Sequence, residues 1–375
     1  MSVNKNPVIV VSAVNLVEGG GLSILKKCAQ ELSIFNKHNK YKVYILVHKN
    51  SLIPNYDNIT YIAYPKAKKN WFFRAFYEYF YFYFLSIKLN PFVWISLHDI
   101  TPNVKSGLYL YTYMHNPSPF YQKQEGIKLN WKFRLFVKFY KYLYKINIKK
   151  TTACIVQQNW FREKISELCK IPKEKIIVAK PEYEEKDISL SKVNYKKAQF
   201  FFNSFPREFK NFDIICQACE ILNKYNFDKE WNVYLTIDGT ENKYSKKLVT
   251  KYKNNKHIHF IGLISRDKCE EYYRTSEVLI FPSLLETWGL PISEFKKYEK
   301  KMILADLPYA HEAASAAKRV TFFSPNDANE LARKMECVIL EKDNILFDSC
   351  CELEINEPYC TDWSELFEKI ILKNE

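Results

Sequence analysis

Short apolar runs, rich in β-branched and aromatic residues, alternate along the chain with longer segments of helical periodicity. In the first half these runs are Val8–Val14, Val43–Val47, Val93–Leu97, Leu108–Met114 and Cys154–Val156. In the second half they are Gln199–Phe202, Val233–Ile237, His257–Ile261, Val278–Phe281 and Lys301–Leu304. Strands that alternate with helices form parallel sheets covered by helices on both faces. The pattern therefore predicts an α/β protein with doubly wound sheets.

The length and a break in the pattern predict two domains. The chain has 375 residues, which suits two domains of ordinary size. A charged, proline-containing stretch at 181–197 separates the two series of apolar runs and is interpreted as a linker. The N-terminal domain is then 1–180 and the C-terminal domain 198–360. We expect a last helix, about 361–375, to pack back on the N-terminal domain.

Residues 282–294 carry the most informative motif, Pro-Ser-Leu-Leu-Glu-Thr-Trp-Gly-Leu-Pro-Ile-Ser-Glu. The run before it predicts a buried strand and the segment from Leu290 onward predicts a helix, so Gly289 lies at a helix N-terminus. Backbone N–H groups at such a position favour a phosphate. Glu294, inside the helix, is placed to accept both hydroxyls of a ribose, and Glu286, in the loop, to face the sugar side of a diphosphate. The motif therefore predicts a nucleotide-sugar site.

This motif resembles the pattern Pro-Ser-x-x-Glu-x-x-Gly-Leu-Pro-x-x-Glu of the retaining family-4 glycosyltransferases of the GT-B fold. The sequence His259-Phe-Ile-Gly262 is similar to the strand and turn beside the nucleobase in that family. The chain departs from the usual Glu-Gly-Phe-Gly at Glu286-Thr-Trp-Gly289, and Lys180-Pro-Glu-Tyr183 replaces the usual Asn-Gly-Val-Asp. The resemblance implies two Rossmann-like domains facing each other across a cleft, with acceptor bound by the first and nucleotide sugar by the second. It assigns a catalytic role to Glu286 and donor binding to Glu294, Gly289, Leu290 and Gly262.

A glycine-rich turn, Glu18-Gly-Gly-Gly21, follows the first apolar run. Glycines there let a backbone approach a phosphate, but the full fingerprint of a dinucleotide site is absent, and ordinary turn chemistry would need no ligand. The turn is similar to the first loop of the glycosyltransferase family. That resemblance makes Gly19, Gly20 and Gly21 candidates for donor binding.

His115 comes directly after the apolar run 108–114 and would lie at the carboxyl end of a strand, where doubly wound sheets bind ligands. A lone histidine is more often structural. Its position and its similarity to the active-site histidine of the family favour a catalytic role. His98, Asp99 and Asn116 have comparable positions and are candidates for the acceptor side.

Arg207 and Lys210 follow the strand predicted at 199–202. They could neutralise a leaving diphosphate, arginine as a planar fork and lysine as a point charge, and we assign them to the catalytic set. The chain contains no Asp-x-Asp, the usual carboxylate pair for a metal-bound nucleotide sugar. Together with the family resemblance, this predicts a retaining, metal-independent transfer of a hexose-type sugar. The only small-molecule requirement is then a GDP-, UDP- or dTDP-linked donor as co-substrate, with no cofactor and no metal.

Charge is divided unevenly between the domains. Residues 1–180 contain 28 Lys and Arg against 9 Asp and Glu, or +19, whereas the remainder contains 28 against 33, or −5. Arg134, Lys138, Lys141 and Lys145 are spaced to lie on one face of a helix without any nearby acid. Such a helix suits an anionic membrane surface, although a solvated basic face explains the pattern equally well. A second aromatic stretch, 71–89, is interrupted by charges and rich in Tyr, so it predicts an interfacial or core helix rather than a membrane span.

The remaining features bear on location and partners. The N-terminus leads through polar residues into a strand and does not resemble a signal peptide. The ten cysteines lack the spacing of metal or disulfide frameworks, which favours reduced thiols in the cytoplasm. We therefore expect a cytoplasmic enzyme, peripheral on the inner face of the cytoplasmic membrane, that extends a glycan or polyprenyl-diphosphate-linked acceptor. The family resemblance implies cell-surface polysaccharide synthesis, such as that of lipopolysaccharide or O-antigen.

Two other functions remain open at this stage. The net charge of +14 and the interleaved aromatic residues would suit a protein that binds single-stranded nucleic acid, but that function leaves Glu286 and Glu294 without a role, so no nucleic-acid partner is expected. A GT-B nucleotide-sugar epimerase would use the same donor site without an acceptor.

Overall fold

The computed structural model describes residues 6–121, 131–181, 197–342 and 346–374. The chain divides into two compact units. The first comprises Met1–Phe120, Leu135–Glu182 and Ile355–Glu375, and the second Tyr121–Arg134 and Tyr183–Glu354. Residues 355–360, which the sequence places in the C-terminal domain, thus belong to the first unit. Most of the expected linker, 182–196, lies outside the described residues.

The strands are, in chain order, β1 (Val8–Ser12), β2 (Lys42–Val47), β3 (Ile59–Ala63), β4 (Val93–Ser96), β5 (Tyr109–Tyr113), β6 (Ala153–Val156), β7 (Ile176–Ala179), β8 (Ala198–Phe202), β9 (Trp231–Leu235), β10 (Ile258–Phe260), β11 (Val278–Phe281), β12 (Lys301–Ala305), β13 (Val320–Phe323) and β14 (Tyr359–Cys360). The α-helices are α1 (Gly19–Phe35), α2 (Trp71–Phe76), α3 (Phe82–Leu89), α4 (Trp131–Leu143), α5 (Asn159–Cys169), α6 (Phe212–Leu222), α7 (Lys243–Tyr252), α8 (Arg266–Thr275), α9 (Leu290–Lys296), α10 (Pro308–Ala313), α11 (Ala328–Ile339) and α12 (Trp363–Ile370).

The first unit contains an eight-stranded sheet in the order β14-β7-β6-β5-β4-β1-β2-β3, in which every pair is parallel. Its central strands are almost entirely buried because helices cover both faces, as the continuous apolar run of β1 requires. The C-terminal helix α12 packs on α1 within the same unit, with the ring of Phe367 5.7 Å from that of Phe35.

The second unit contains a six-stranded parallel sheet in the order β10-β9-β8-β11-β12-β13. Numbered within the unit, this order is 3-2-1-4-5-6, that of a dinucleotide-binding Rossmann sheet. The three consecutive phenylalanines of β8, Phe200, Phe201 and Phe202, are fully buried. Both faces of this strand are therefore covered, and its sequence is apolar at successive positions rather than at alternate ones. Both units are therefore doubly wound α/β sheets.

The aromatic stretch 71–89 forms two short helices joined by a wider π-helical turn. Asn70 caps α2 by accepting a hydrogen bond from the N–H of Phe73 at 3.0 Å. The π turn spans Tyr77–Tyr81 and leads into α3. A wide turn leaves carbonyl groups without their usual helical partners. Asn103 supplies two of the donors, its backbone N–H to the carbonyl of Glu78 at 2.9 Å and its side-chain amide to that of Tyr79 at 3.3 Å.

Across the described segments, every helix is too short or too polar to cross a membrane. The ten cysteines are free thiols, most of them buried. Burial raises the pKa of the Cys169 and Cys269 thiols to about 11, so both remain protonated at neutral pH.

Candidate active site

The carboxyl edge of the second sheet brings the predicted donor residues together. The strand order reverses between the neighbouring strands β8 and β11, and ligands of doubly wound sheets bind at such a reversal. The loop after β8 carries Arg207 and Lys210, and the loop after β11 carries Glu286. These two loops are therefore neighbours although they are distant in sequence.

Lys210 and Glu286 form an ion pair across this edge. Both side chains are mostly buried, at 17% and 15% exposed. A salt bridge that is largely removed from water is screened less than a surface pair. The ammonium of Lys210 has three N–H donors, so those not used by Glu286 remain for an anionic ligand.

Hydrogen bonds between the two loops fix this geometry. The N–H of Leu284 donates to the carbonyl of Phe209 at 2.7 Å. The buried amide of Asn211 donates to the carbonyls of Pro282 and Pro325 at 3.3 and 2.9 Å. Asn211 adopts a left-handed backbone with φ of 58°, a conformation that asparagine tolerates better than most residues. The pair Lys210–Glu286 therefore rests on an ordered backbone.

Arg207 is exposed. Its guanidinium carbon is 5.8 Å from the centroid of the Phe205 ring, which is itself exposed. The structure thus joins Lys210 to Glu286 and leaves the Arg207 side chain on the surface of the same loop.

Gly289 starts α9, as the sequence predicts. Its φ of 84° lies in the left-handed region, where a side chain is strained. A Cβ atom at this position would lie 3.2 Å from Cδ1 of Ile292 and 3.5 Å from the ring of Tyr309. Leu290 and Pro291 then open the helix, and proline suits the first turn because its missing N–H is unused there.

Glu294 lies inside α9 and is 9% exposed. One carboxylate oxygen pairs with the guanidinium of Arg266, and the other accepts a hydrogen bond from the hydroxyl of Tyr273 at 2.8 Å. Burial and the charge of Glu294 raise the pKa of Tyr273 well above its ordinary value, so this hydroxyl remains a donor. Burial acts to lower the pKa of Arg266, but the hydrogen bond to Glu294 and the charges of Glu294 and Glu270 together outweigh it and raise that pKa.

Gly262 follows β10 and has a φ of 69°. A Cβ atom there would lie 2.8 Å from Oδ2 of Asp238, which lies in the loop between β9 and α7. Glycine is thus required for close packing of two loops on the same edge. Asn203, directly after β8, donates from its amide to the hydroxyl of Tyr273 at 2.9 Å, which links this edge to the partner of Glu294.

In the first unit, the glycine-rich turn lies beside His115. Gly19 has a φ of 59° at the start of α1. A Cβ atom on Gly21 would meet Leu16 at 3.0 Å and Nε2 of His115 at 3.8 Å, whereas one on Gly20 would meet no atom within 4 Å. The first turn of α1, which follows β1, therefore meets the loop after β5 at Gly21 and His115.

Asp99 organises the loop of His115. It follows β4 and has a φ of 68°. Its Oδ1 accepts hydrogen bonds from the N–H groups of His115 and Asn116 at 2.7 and 3.0 Å, and from the hydroxyl of Tyr144 at 3.1 Å. Its Oδ2 lies 3.8 Å from Nε2 of His115. Asp99 thus holds the backbone on which the imidazole is carried.

His98 is buried behind this loop rather than at its surface. Its Nε2 lies 3.2 Å from Oε1 of Glu78, and its carbonyl accepts a hydrogen bond from Nη2 of Arg74 at 3.0 Å. Burial, together with the charges of Arg74 and His115, lowers the pKa of His98 well below its ordinary value. Burial raises the pKa of Glu78 to about 8, against the opposing charge of Arg74. At neutral pH a protonated Glu78 therefore faces a neutral imidazole.

The basic residues expected on one helix are all exposed, but the helix is shorter than predicted. Arg134, Lys138 and Lys141 lie on α4, which ends at Leu143. Lys145 lies in the turn that follows. In this turn Tyr144 is buried and Asn147 takes a left-handed backbone with φ of 58°. The prediction that Lys145 lies on the helix is thus wrong.

Comparison with protein families decides the class of the second unit. Residues 182–346 match the family described as glycosyl transferases group 1. This match identifies a glycosyltransferase. It covers the whole motif from Pro282 to Glu294 and the loop that carries Lys210. No curated protein sequence matches the chain.

Solved structures similar to this glycosyltransferase share its fold. A glycosyltransferase from Rickettsia africae superimposes with a TM-score of 0.62 at 16% identity, over 99% of this chain and 93% of the other. The lipopolysaccharide outer core galactosyltransferase WaaB gives 0.61 at 11% identity, over 90% and 91%. Anabaena HepE in complex with UDP-glucose gives 0.60 at 12% identity, over 90% and 92%. The predicted fold class, GT-B with two Rossmann-like domains, is confirmed.

Sequence reasoning missed two residues of the donor side and two of the histidine side. Arg266 and Tyr273 hold Glu294, and Arg74 and Glu78 lie behind His98. Arg74 and Glu78 gave a signal that could have been used, since they are charges in an otherwise aromatic helix. Within the described segments, no cluster of three or more His, Cys, Asp and Glu side chains is arranged to hold a metal ion.

The buried carboxyl of Glu78 makes stability dependent on pH. Its pKa is raised to about 8 in the folded protein, so its contribution is fully present below the unfolded pKa of about 4.3 and is lost as pH rises through about 8. Glu78→Gln removes this titration. Between pH 6.5 and 8.5, the wild type should lose on the order of 2 kcal/mol of unfolding free energy relative to Glu78→Gln, as measured by urea denaturation.

Glu368→Gln, on the exposed face of α12, is the control and should follow the wild type at every pH. Parallel pH profiles for the wild type and Glu78→Gln would show that Glu78 is not held protonated.

Proposed function

We propose that this protein is a retaining glycosyltransferase that moves a hexose-type sugar from a nucleotide-sugar donor to a glycan acceptor. The observation that carries the proposal is the mostly buried Lys210–Glu286 pair beside the start of α9, at the reversal of strand order in a glycosyltransferase group 1 domain. Such a site offers fixed positive charge for a diphosphate and a carboxylate for the sugar. The complex of HepE with UDP-glucose supports a nucleotide sugar as the donor.

In the proposed donor site, Lys210, Arg207 and backbone N–H groups near Gly289 hold the diphosphate. Glu294 accepts hydrogen bonds from the ribose hydroxyls. Its two oxygens already accept from Arg266 and Tyr273, but an ionised carboxylate offers about four lone-pair sites, so further donors can bind. Arg266 and Tyr273 then orient the carboxylate rather than compete with the ribose.

The proposed reaction is a front-face displacement with retention of anomeric configuration. The bond from the anomeric carbon to the leaving diphosphate breaks as the acceptor oxygen bonds to the same face of that carbon. The acceptor proton passes to an oxygen of the leaving phosphate, so no side chain becomes covalently attached. Lys210 and Arg207 stabilise the negative charge that develops on the diphosphate, and Glu286 and His115 shape the charge around the sugar.

We further propose a lipid-linked acceptor, a glycan on a polyprenyl diphosphate, in cell-surface polysaccharide synthesis of the lipopolysaccharide or O-antigen type. The likeness to WaaB, a lipopolysaccharide outer core galactosyltransferase, supports this acceptor class. Asp99, Asn116 and His98 belong to the acceptor side through the loop of His115. The enzyme then works in the cytoplasm on the inner face of the membrane, where Arg134, Lys138, Lys141 and Lys145 meet anionic lipid.

The decisive experiment supplies GDP-, UDP- and dTDP-linked hexoses with and without a polyprenyl-diphosphate glycan. Release of nucleoside diphosphate should depend on the acceptor, and NMR should show the donor's anomeric configuration in the product. His115→Ala and Glu286→Ala should lower turnover by about 10²-fold while donor binding changes less, because both act at the sugar. His38→Ala, at an exposed histidine, is the control.

Sugar-nucleotide conversion without acceptor would instead indicate an epimerase, and an inverted product would rule out retention. Full turnover in either variant would remove that residue from the site.

Nucleotide binding tests the role of Glu294. A matching nucleoside diphosphate should raise the melting temperature, because it binds the folded state. Glu294→Ala and Glu294→Gln should each weaken binding by roughly 10-fold or more, since hydrogen bonds to a charged group contribute about 1.5–3 kcal/mol. Calorimetric titration of each variant against its own baseline measures this loss.

Glu271→Ala, at an exposed position of α8, should bind nucleotide as the wild type does. Equal affinities for the wild type and both Glu294 variants would exclude a ribose contact.

Metal independence follows from the proposed handling of the diphosphate. Transfer should continue in excess EDTA, whereas Lys210→Met and Arg207→Met should each lower kcat by roughly 10²-fold, as loss of an oxyanion donor does. Lys224→Met, an exposed position, should have no effect. Activity lost on chelation and restored by magnesium or manganese would overturn this part of the mechanism.

A further inference from the structure

The segment 71–89 packs Phe82 and Leu85 on the core but differs from an ordinary water-facing helix in what it buries and exposes on its other sides. Of its three charged residues, Arg74 is 5% exposed and Glu78 is 0% exposed. Several of its aromatic side chains point outward, with Phe72 at 75%, Phe80 at 56% and Phe84 at 54% exposed, whereas Phe82 is fully buried in the core. A water-facing helix shows polar residues outside and apolar residues inside. This helix therefore presents its apolar face to something other than water.

The exposed aromatic side chains form one continuous face. Phe76, Phe80 and Phe84 follow each other at spacings of four, and their rings lie 5.4 and 5.1 Å apart. Positions four apart drift by about 40° around a regular α-helix, and the wider π turn at Tyr77–Tyr81 counteracts this drift. Ile87, exposed and three residues beyond Phe84, continues the line.

A second helix extends this face. The ring of Phe139 on α4 stands edge-on to Trp71 at 5.1 Å, and both rings are partly exposed. Leu135 and Tyr142 are also exposed on the same helix. We call the set Trp71, Phe72, Phe76, Phe80, Phe84, Ile87, Leu135, Phe139 and Tyr142 the aromatic surface. Exposed apolar areas of this extent mark interaction sites.

Cations surround the aromatic surface. Lys66, Lys68 and Lys69 are exposed just before α2, Lys88 is exposed near the end of α3, and Lys138, Lys141 and Lys145 are exposed on or just after α4. Among residues 64–89 and 135–150, the only acidic residue is the buried Glu78. Glu18, from α1's N-terminal turn, lies 3.7 Å from Lys68. The exposed charged residues in the segments that carry the aromatic surface are thus predominantly positive, and we call them its rim.

We infer that the aromatic surface inserts into the interfacial region of an anionic lipid bilayer, with the surrounding lysines at the headgroups. Helices that lie in a membrane interface combine Trp, Phe and Leu on one side with Lys and Arg beside them. A second copy of the chain fits less well, because a twofold interface sets the same patch against itself and would oppose two positive rims. This inference deepens the proposed membrane location but does not depend on the glycosyl transfer reaction.

Binding to vesicles tests the inference. The full-length protein should co-float with vesicles of phosphatidylglycerol and phosphatidylcholine in equal parts, and much less with pure phosphatidylcholine. The triple variant Phe72→Ser, Phe80→Ser, Phe84→Ser should lower the partition coefficient by about tenfold or more, because it removes the inserting side chains. The control Ile34→Ser, Tyr225→Ser, Leu340→Ser changes exposed apolar residues elsewhere and should bind as the wild type.

Two further measurements separate insertion from simple charge attraction. In Phe80→Trp, acyl-chain-brominated lipid should quench fluorescence beyond the quenching seen for the wild type. Lys138→Glu, Lys141→Glu, Lys145→Glu should also weaken binding, and salt should weaken binding of the wild type. Vesicle binding that is unchanged in the phenylalanine triple variant, or an absence of added quenching in Phe80→Trp, would overturn the inference.

Sedimentation, which measures the oligomeric state, tests the alternative occupant of the aromatic surface, a second copy of the chain. A wild-type dimer that becomes monomeric in the phenylalanine triple variant, without vesicle binding, would assign the aromatic surface to a second copy and reject the membrane. The melting temperature with and without nucleoside diphosphate shows that each variant is folded and binds donor. A failure of the proposed nucleotide site would appear in that measurement alone, and a failure of membrane insertion only in the vesicle assays.

Discussion

The order of the strands in the two parallel sheets is the constraint on which the candidate site depends. Parallel strands deliver all their following loops to one edge, and the loops diverge where the order reverses. The reversals lie between β1 and β4 in the first unit and between β8 and β11 in the second. The segments that follow these strands hold Gly21 and Asp99 in one unit and Lys210 and Glu286 in the other. Lys210 can therefore meet Glu286 across 76 residues of sequence.

Left-handed backbone at three positions turns these loops into rigid supports. Asp99, Asn211 and Gly289 all have positive φ. Such conformations cost about 1–3 kcal/mol for residues other than glycine and persist only when the surroundings impose them. Asp99 is held by the amides of His115 and Asn116, and Asn211 by two proline carbonyls. The side chains that would meet a ligand are thus carried on backbone that its neighbours fix on several sides.

Local features of the site could be predicted from the sequence, whereas those produced by packing could not. The position of Gly289 at a helix start and of Glu294 inside that helix follow from a few neighbouring residues. The contacts of Glu294 with Arg266 and Tyr273 depend on how α8 packs against the sheet, which no local pattern encodes. Strands β3, β7, β13 and β14 were also missed. The edge strand β3 is buried less completely than the central strands and lacks their continuous apolar run, whereas β7, the fully buried sequence Ile-Ile-Val-Ala, carried an apolar run that could have predicted it.

The segment 71–89 links the interior of the first unit to its surface. Burying Arg74 and Glu78 carries a desolvation cost that only polar partners can offset. Arg74 donates a hydrogen bond to the carbonyl of His98, and the carboxyl of Glu78 lies against the imidazole of His98. These partners fix the rotation of the helix, because both charges must face the turn that carries Asp99. Most of the other side chains of the segment are aromatic, and the same rotation places Phe72, Phe80 and Phe84 outside while Phe82 packs inside. The exposed aromatic face is therefore a consequence of the contacts that hold the His98–Asp99 turn, and substitutions on the outer side leave those inner contacts in place.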